Sequence, residues 1–139
     1  MSRILSTKNP YYLTKHRFYE VYHYAMQYQE WKDEYRTTEQ TMRGIAYDGV
    51  KVQSSGSGDA LERVAIRLAE LSEKIEMLEA VARETDKDLS EYILRGATDE
   101  QVTYNYLSMV LHIPCSRNTY YSLRRKFYWL LSKRLGLRD

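Results

Sequence analysis

Between Pro10 and Gly44 no glycine or proline interrupts the chain, and Val21, Tyr24, Tyr28, Trp31, Tyr35, Thr38, Met42 and Ile45 recur at spacings of 3-4-3-4-3-4-3. Steps of three and four keep residues on one stripe of a helix, so the spacing predicts a heptad seam, carried by aromatics instead of leucine. Asn9 can cap and Pro10 suits a first helical position, which predicts a helix from about residue 11 to 44, about 50 Å long. A second, cleaner seam follows: Leu61, Val64, Leu68, Leu71, Ile75, Leu78 and Ala82, with charges on the other faces. Between the two, Tyr47-Asp48-Gly49 reads as a turn and Ser54-Ser55-Gly56-Ser57-Gly58 as a flexible linker, with Asp59 as the cap of the second helix. Such helices fold back as an antiparallel hairpin or pair between subunits of a homo-oligomer, and the pattern allows both. In either case Tyr24, Tyr28, Trp31, Tyr35, Leu68, Leu71 and Ile75 are the expected partner or oligomer interface.

The remainder has shorter periods and clear punctuation. Asp88-Leu89-Ser90-Glu91 reads as a capping box opening a helix that Gly96 closes. Thr98-Asp99-Glu100-Gln101 reads as another, opening a helix with Val102, Tyr106, Met109 and Val110 on one side. His112 to Cys115 form a turn, and Ser116 caps a last helix running to about Leu135, before Gly136. Three helices with two short connections, the last strongly basic, match the helix-turn-helix pattern. The expected class is all-α: a long helical hairpin or coiled-coil arm followed by a C-terminal helix-turn-helix domain. Its divisions are an aromatic helix over 1–45, a Ser/Gly linker over 46–58, a heptad helix over 59–85 and a DNA-binding domain over 86–139.

Charge supports that division. The net +2 of the chain separates into +2 for residues 1–58, −6 for 59–100, zero for 101–115 and +6 for 116–139. A basic end behind an acidic middle is where a polyanion binds. On a helical wheel Tyr120, Leu123, Phe127, Leu130 and Leu131 fall within about 100°, the width of a core-facing stripe. The opposite side presents Asn118, Tyr121, Ser122 and Arg125, with Arg117 and Lys126 at its margins. Arg reads guanine bidentately, Asn reads adenine, and Ser or Tyr binds phosphate. The N-terminal residues of a recognition helix enter the major groove, and the free N–H groups at Ser116 favour a phosphate. The expected DNA-binding residues are therefore Ser116, Arg117, Asn118, Tyr121, Ser122, Arg125 and Lys126. The helix dipole accounts for Lys133 and Arg134 near the C-terminal end, but not for Arg117 and Arg125. Trp129 lies off the expected core and is read as packing on a neighbouring helix.

The run Ser116-Arg-Asn-Thr-Tyr-Tyr-Ser-Leu-Arg-Arg-Lys-Phe127, followed by Leu130-Leu131 and Lys133-Arg134-Leu135, resembles the recognition helix of the RinA/ArpU-type phage late-gene transcriptional activators. Their C-terminal domain is similar to region 4 of bacterial sigma factors. The order of parts is also similar, and the specific likeness covers about Asp88 to Leu135. By the family pattern Thr119 and Tyr120 take the small-hydroxyl and apolar positions early in the helix, and Leu123-Arg124-Arg125-Lys126 its apolar-basic run. The resemblance implies promoter DNA as partner and activation of late operons through contact with host RNA polymerase. This chain departs from the pattern at His112-Ile113-Pro114-Cys115-Ser116, a turn about two residues longer that lacks the glycine often found there.

Other chemistries find little support. His16 and His23 are seven residues apart, about 10 Å along a helix, too far for one metal. Cys115 has no base nearby and reads as a packed turn cysteine. Gly56-Ser57-Gly58 lacks the lysine and strand of a phosphate loop. Glu73, Glu76 and Glu79 pair readily with Arg67, Lys74 and Arg83. No catalytic residue, metal or cofactor is expected. Met1 to Pro10 lacks the apolar core of a signal peptide, and no apolar run reaches the eighteen or so residues that span a bilayer. The expected location is the cytoplasm of a bacterial host. Two other functions fit the same pattern: a helical interaction factor, such as a polymerase adaptor or anti-host protein, and a terminase small subunit. The 14 tyrosines, seven of them before residue 36, are read mainly as core and contact surface.

Overall fold

The computed structural model describes residues 8–51 and 55–137, with side chains described over 8–47 and 58–137. Among these the protein is all-α: α1 (Lys15–Ala25), α2 (Tyr28–Lys51), α3 (Ser55–Thr85), α4 (Ser90–Thr98), α5 (Tyr104–Met109) and α6 (Arg117–Arg134). The chain forms two compact units, Met1–Tyr28 with Leu78–Asp139, and Gln29–Met77.

The single helix expected over 11–44 is two. Asn9 and Pro10 make a turn, in which the Asn9 side chain accepts from Tyr11 N–H (2.8 Å) and its carbonyl from Tyr12 N–H (3.1 Å). The helix proper starts only at Lys15, and Thr14 supplies no side-chain cap. A break follows at Met26-Gln27, where Gln27 N–H turns to the Tyr24 carbonyl three residues back (3.2 Å). Nothing in Ala25-Met26-Gln27 signals it. The cause is tertiary: α1 buries Val21 and Ala25 in the first unit, packing on α4 and α6.

In the Gln29–Met77 unit the aromatic and leucine seams meet within one chain. Trp31 lies 5.2 Å from Lys74 Nζ, and Glu34 accepts from Arg67 Nε (2.6 Å) and Nη2 (2.9 Å). Thr38 and Thr41 face Ala60, Arg63 and Val64. Rising numbers meet falling ones, so the pair is antiparallel. Leu68 and Leu71 are buried between the helices, and Tyr35 and Ile75 are half-buried. The Arg67 guanidinium holds the Glu34 carboxyl below its ordinary range, but both side chains remain well exposed, so the pair contributes little.

The expected linker is shorter than 46–58. Helix α2 continues to Lys51 and α3 begins at Ser55, four residues before Asp59; residues 52–54 lie outside the described residues. Each glycine costs a helix only about 1 kcal/mol, which propagation from a long neighbouring helix can overcome.

The first unit is built around α6. Its buried face is Tyr120, Phe127, Tyr128 and Leu131, with Ser132. Relative to the expected stripe this face is rotated toward Tyr128 and Ser132, leaving Leu123 and Leu130 half-buried. The rotation follows from two-sided packing, since α6 meets α4 on one side and α1 on another. Phe18 and Tyr22 of α1 lie 5.3 and 6.0 Å from the Tyr128 ring, and the Tyr128 hydroxyl donates to the Ala97 carbonyl in the last turn of α4 (2.8 Å). Gly96 does not end α4 but sits inside it. A Cβ there would overlap the Tyr120 hydroxyl and stand 2.9 Å from its Cζ. Glycine is present so that α6 can lay a tyrosine on the α4 backbone. Helix α6 ends as expected: Gly136 is left-handed (φ +73°), Gly136 N–H donates to Lys133 O (3.0 Å) and Leu137 N–H to Ser132 O (2.9 Å).

Candidate nucleic-acid interface

The surface in question is the outer side of α5, the turn over 110–116 and the first half of α6. A local core holds it. Leu107 of α5, Ile113 of the turn and Tyr120 of α6 form a buried cluster, with Tyr92, Tyr104, Cys115 and Tyr121 against it. The caps differ from those expected. Asp86 Oδ1, not Asp88, accepts from the N–H groups of Asp88 and Leu89 before α4 (2.9 Å each). Thr98 is buried at the end of α4, and α5 is capped instead by Thr103, whose hydroxyl accepts from Tyr106 N–H (3.2 Å). Ser116 does cap α6, accepting from Thr119 N–H (3.2 Å).

The turn between α5 and α6 reverses at His112, the one described non-glycine residue with positive φ (57°). That left-handed residue drops Ile113 into the core, where its N–H donates to the Leu107 carbonyl (2.9 Å). A glycine would adopt this backbone conformation without the Cβ penalty that His112 carries. Tyr104 then ties α5 to the turn by donating to the Cys115 carbonyl (2.6 Å). Arg117 Nη2 donates to Asn105 Oδ1 (2.7 Å) while its guanidinium lies 5.0 Å over the Tyr104 ring. The sequence does not signal this α5–α6 clamp: Asn105 carries no motif, and the helical wheel places Arg117 at the margin of the outward face.

The other expected contacts divide into two groups. Asn118 and Ser122 are exposed, and Arg125 and Lys126 half-exposed; among the described residues none of the four makes an ion pair or side-chain hydrogen bond. Tyr121 instead lies half-buried, its ring 5.0 Å from Tyr120, so its apolar body belongs to the local core. Arg124 covers the buried Tyr128 ring (5.1 Å), and Arg134 meets Glu84 (3.3 Å). Helix α6 contains no Asp or Glu. Tyr106, Met109 and Val110, grouped on one side of the expected helix, are its exposed side, at 40%, 78% and 54%.

Of the expected interface residues, Tyr28 is buried and donates to Glu79 (2.7 Å), Trp31 is buried, and Tyr24 is half-buried in α1. Burial and a neighbouring Asp86 push the Cys115 thiol up, which keeps it protonated and a poor nucleophile. Among the described residues no group of three or more His, Cys, Asp or Glu could hold a metal, and no helix is long and apolar enough to cross a membrane. Comparison of the chain with protein-family models, curated proteins and solved structures finds no match.

Proposed function

We propose that the protein is a phage transcription regulator acting in the cytoplasm of its bacterial host. In this reading α5, the turn and α6 form a helix-turn-helix, and the N-terminal half of α6 enters the major groove. One observation carries it: Asn118, Ser122, Arg125 and Lys126 stand together on the outward face of an acid-free helix, uncommitted to any internal partner. These side chains match base edges and phosphates. The helix start leaves the Arg117 and Asn118 N–H groups without intrahelical acceptors, favourable to a phosphate. Activation of late genes through host RNA polymerase belongs to the same proposal and rests on the family resemblance.

Selection from a random duplex library followed by mobility shift tests it. Arg125→Ala should weaken the selected site by about 1–3 kcal/mol and relax preference at one base pair. Lys126→Ala should weaken all duplexes alike and lower the salt slope by about 0.9. A library that yields no preferred site would sink the proposal. It would favour the interaction-factor reading, for which the exposed Tyr106, Met109 and Val110 offer an apolar contact patch in a charge-free stretch.

A further inference from the structure

Two stretches of this chain lack acidic residues: 1–19, with Arg3, Lys8, Lys15 and Arg17, and 101–138, with seven Lys/Arg. They lie at opposite ends of the sequence, and the fold brings residues 11 and 18 of the first against 129 and 128 of the second. Tyr11 packs on Trp129 (ring centroids 5.5 Å apart), and Phe18 packs on Tyr128 (5.3 Å). Trp129 is one helical turn beyond Arg125 and one before Lys133, so it belongs to the basic stripe of α6. Lys133 Nζ lies 4.3 Å from its ring. Tyr11, Trp129 and Lys133 therefore form one contact at which the N-terminal segment continues the α6 surface. The nearby acids are engaged: Glu20 faces Arg17 (3.8 Å), Glu84 faces Arg134 (3.3 Å), and Glu100 accepts from Tyr22 (3.5 Å). Lys15, the first residue of α1, is exposed and has no acidic partner among the described residues. It is also one turn ahead of Phe18, on the face that α1 turns toward α6.

We infer that the N-terminal segment around Lys15 is a second DNA contact, gripping the phosphate backbone beside the groove that α6 occupies. The inference rests on the DNA-binding reading above and extends it. Base reading stays with the N-terminal half of α6, whereas the C-terminal half, where Tyr11 sits, is the part that passes over the sugar-phosphate strand. A cation held there adds affinity without sequence information.

The test is Lys15→Glu in the full chain, titrated by fluorescence anisotropy against the selected duplex and a scrambled one at several salt concentrations. An acid at the first position of a helix is favourable to the helix dipole, so thermal stability should hold or rise. Binding should move the other way: roughly tenfold weaker at low salt on both duplexes, their ratio unchanged, and a salt slope shallower by about one. Lys15→Arg should bind like wild type. A Lys15→Glu chain whose affinity and slope match wild type overturns the inference and leaves the DNA-binding reading standing. A wild-type chain that binds neither duplex overturns that reading itself.

Discussion

Gly96→Ala isolates the packing that holds α6 in place. In an open helix interior the change should stabilise, since alanine is favoured over glycine by about 1 kcal/mol. Here the added methyl meets a buried wall. It overlaps the Tyr120 hydroxyl, stands 2.9 Å from Tyr120 Cζ and reaches 3.4 Å from Leu107 Cδ1. Tyr120 is 1% exposed and cannot swing into solvent without leaving the core. Overpacking of this kind costs typically 1–3 kcal/mol. Because atoms overlap outright, the upper part of that range applies, and the net loss should be about 1–2 kcal/mol after the propensity gain. Tyr120→Phe removes the overlapping oxygen, so the double variant should recover about 1 kcal/mol relative to Gly96→Ala, a coupling that independent sites would not show. Urea denaturation followed by circular dichroism measures all four corners of the cycle. For a chain of this length the Gly96→Ala midpoint in a thermal scan should fall by about 3–8 °C. A Gly96→Ala protein as stable as wild type, or a double variant no better than the single, would refute the close approach of α6 to α4.

Two other outcomes follow from single residues. His112→Gly should stabilise the protein by roughly 0.5–1 kcal/mol in denaturant titration, because glycine adopts the left-handed conformation without the Cβ penalty that histidine carries at φ 57°. Burial pushes the Tyr120 hydroxyl from 10.0 up to about 12, and raises Tyr128 as well. A raised folded-state value contributes stability fully present below pH 10 and lost as pH climbs toward 12. Alkaline titration should show part of the tyrosine absorbance change arriving late and together with loss of helical signal.

The helices that were legible in the sequence are those whose signal is local. The leucine seam of α3, the Ser116 cap and the Gly136 stop are decided within a few residues, and all appear in the structure. The break at Met26-Gln27 was not legible, because it is imposed by the packing of α1 on α4 and α6, distant in sequence. The face of α6 was half legible. A one-sided wheel assumes one neighbour, and α6 has two, which turned Tyr128 inward and put Arg124 over its ring. Tyr121 packs against Tyr120 in the core that α5 and the following turn supply, while Asn118 and Ser122 stay outward. Spacing reports which residues share a face; it does not report how many partners that face serves.

Two of the tyrosines answer to the same geometry. The Tyr128 hydroxyl reaches the Ala97 carbonyl, and Tyr104 reaches the Cys115 carbonyl. The first acceptor belongs to the last turn of α4, whose final carbonyls have no intrahelical partner. The second lies in the turn just before α6. Short helices packed end against side bring such orphan groups inside, where an unsatisfied acceptor costs about 1–3 kcal/mol. Phenylalanine would fill the same volume and leave the carbonyl bare. A residue that buries a ring and carries a donor at its far end resolves both demands at once. At these two crossings, Tyr104 and Tyr128, the packing of short helices on α6 and its preceding turn therefore favours Tyr over Phe. There the ring fills the core and the hydroxyl closes a backbone acceptor, one at a helix end and one in a turn.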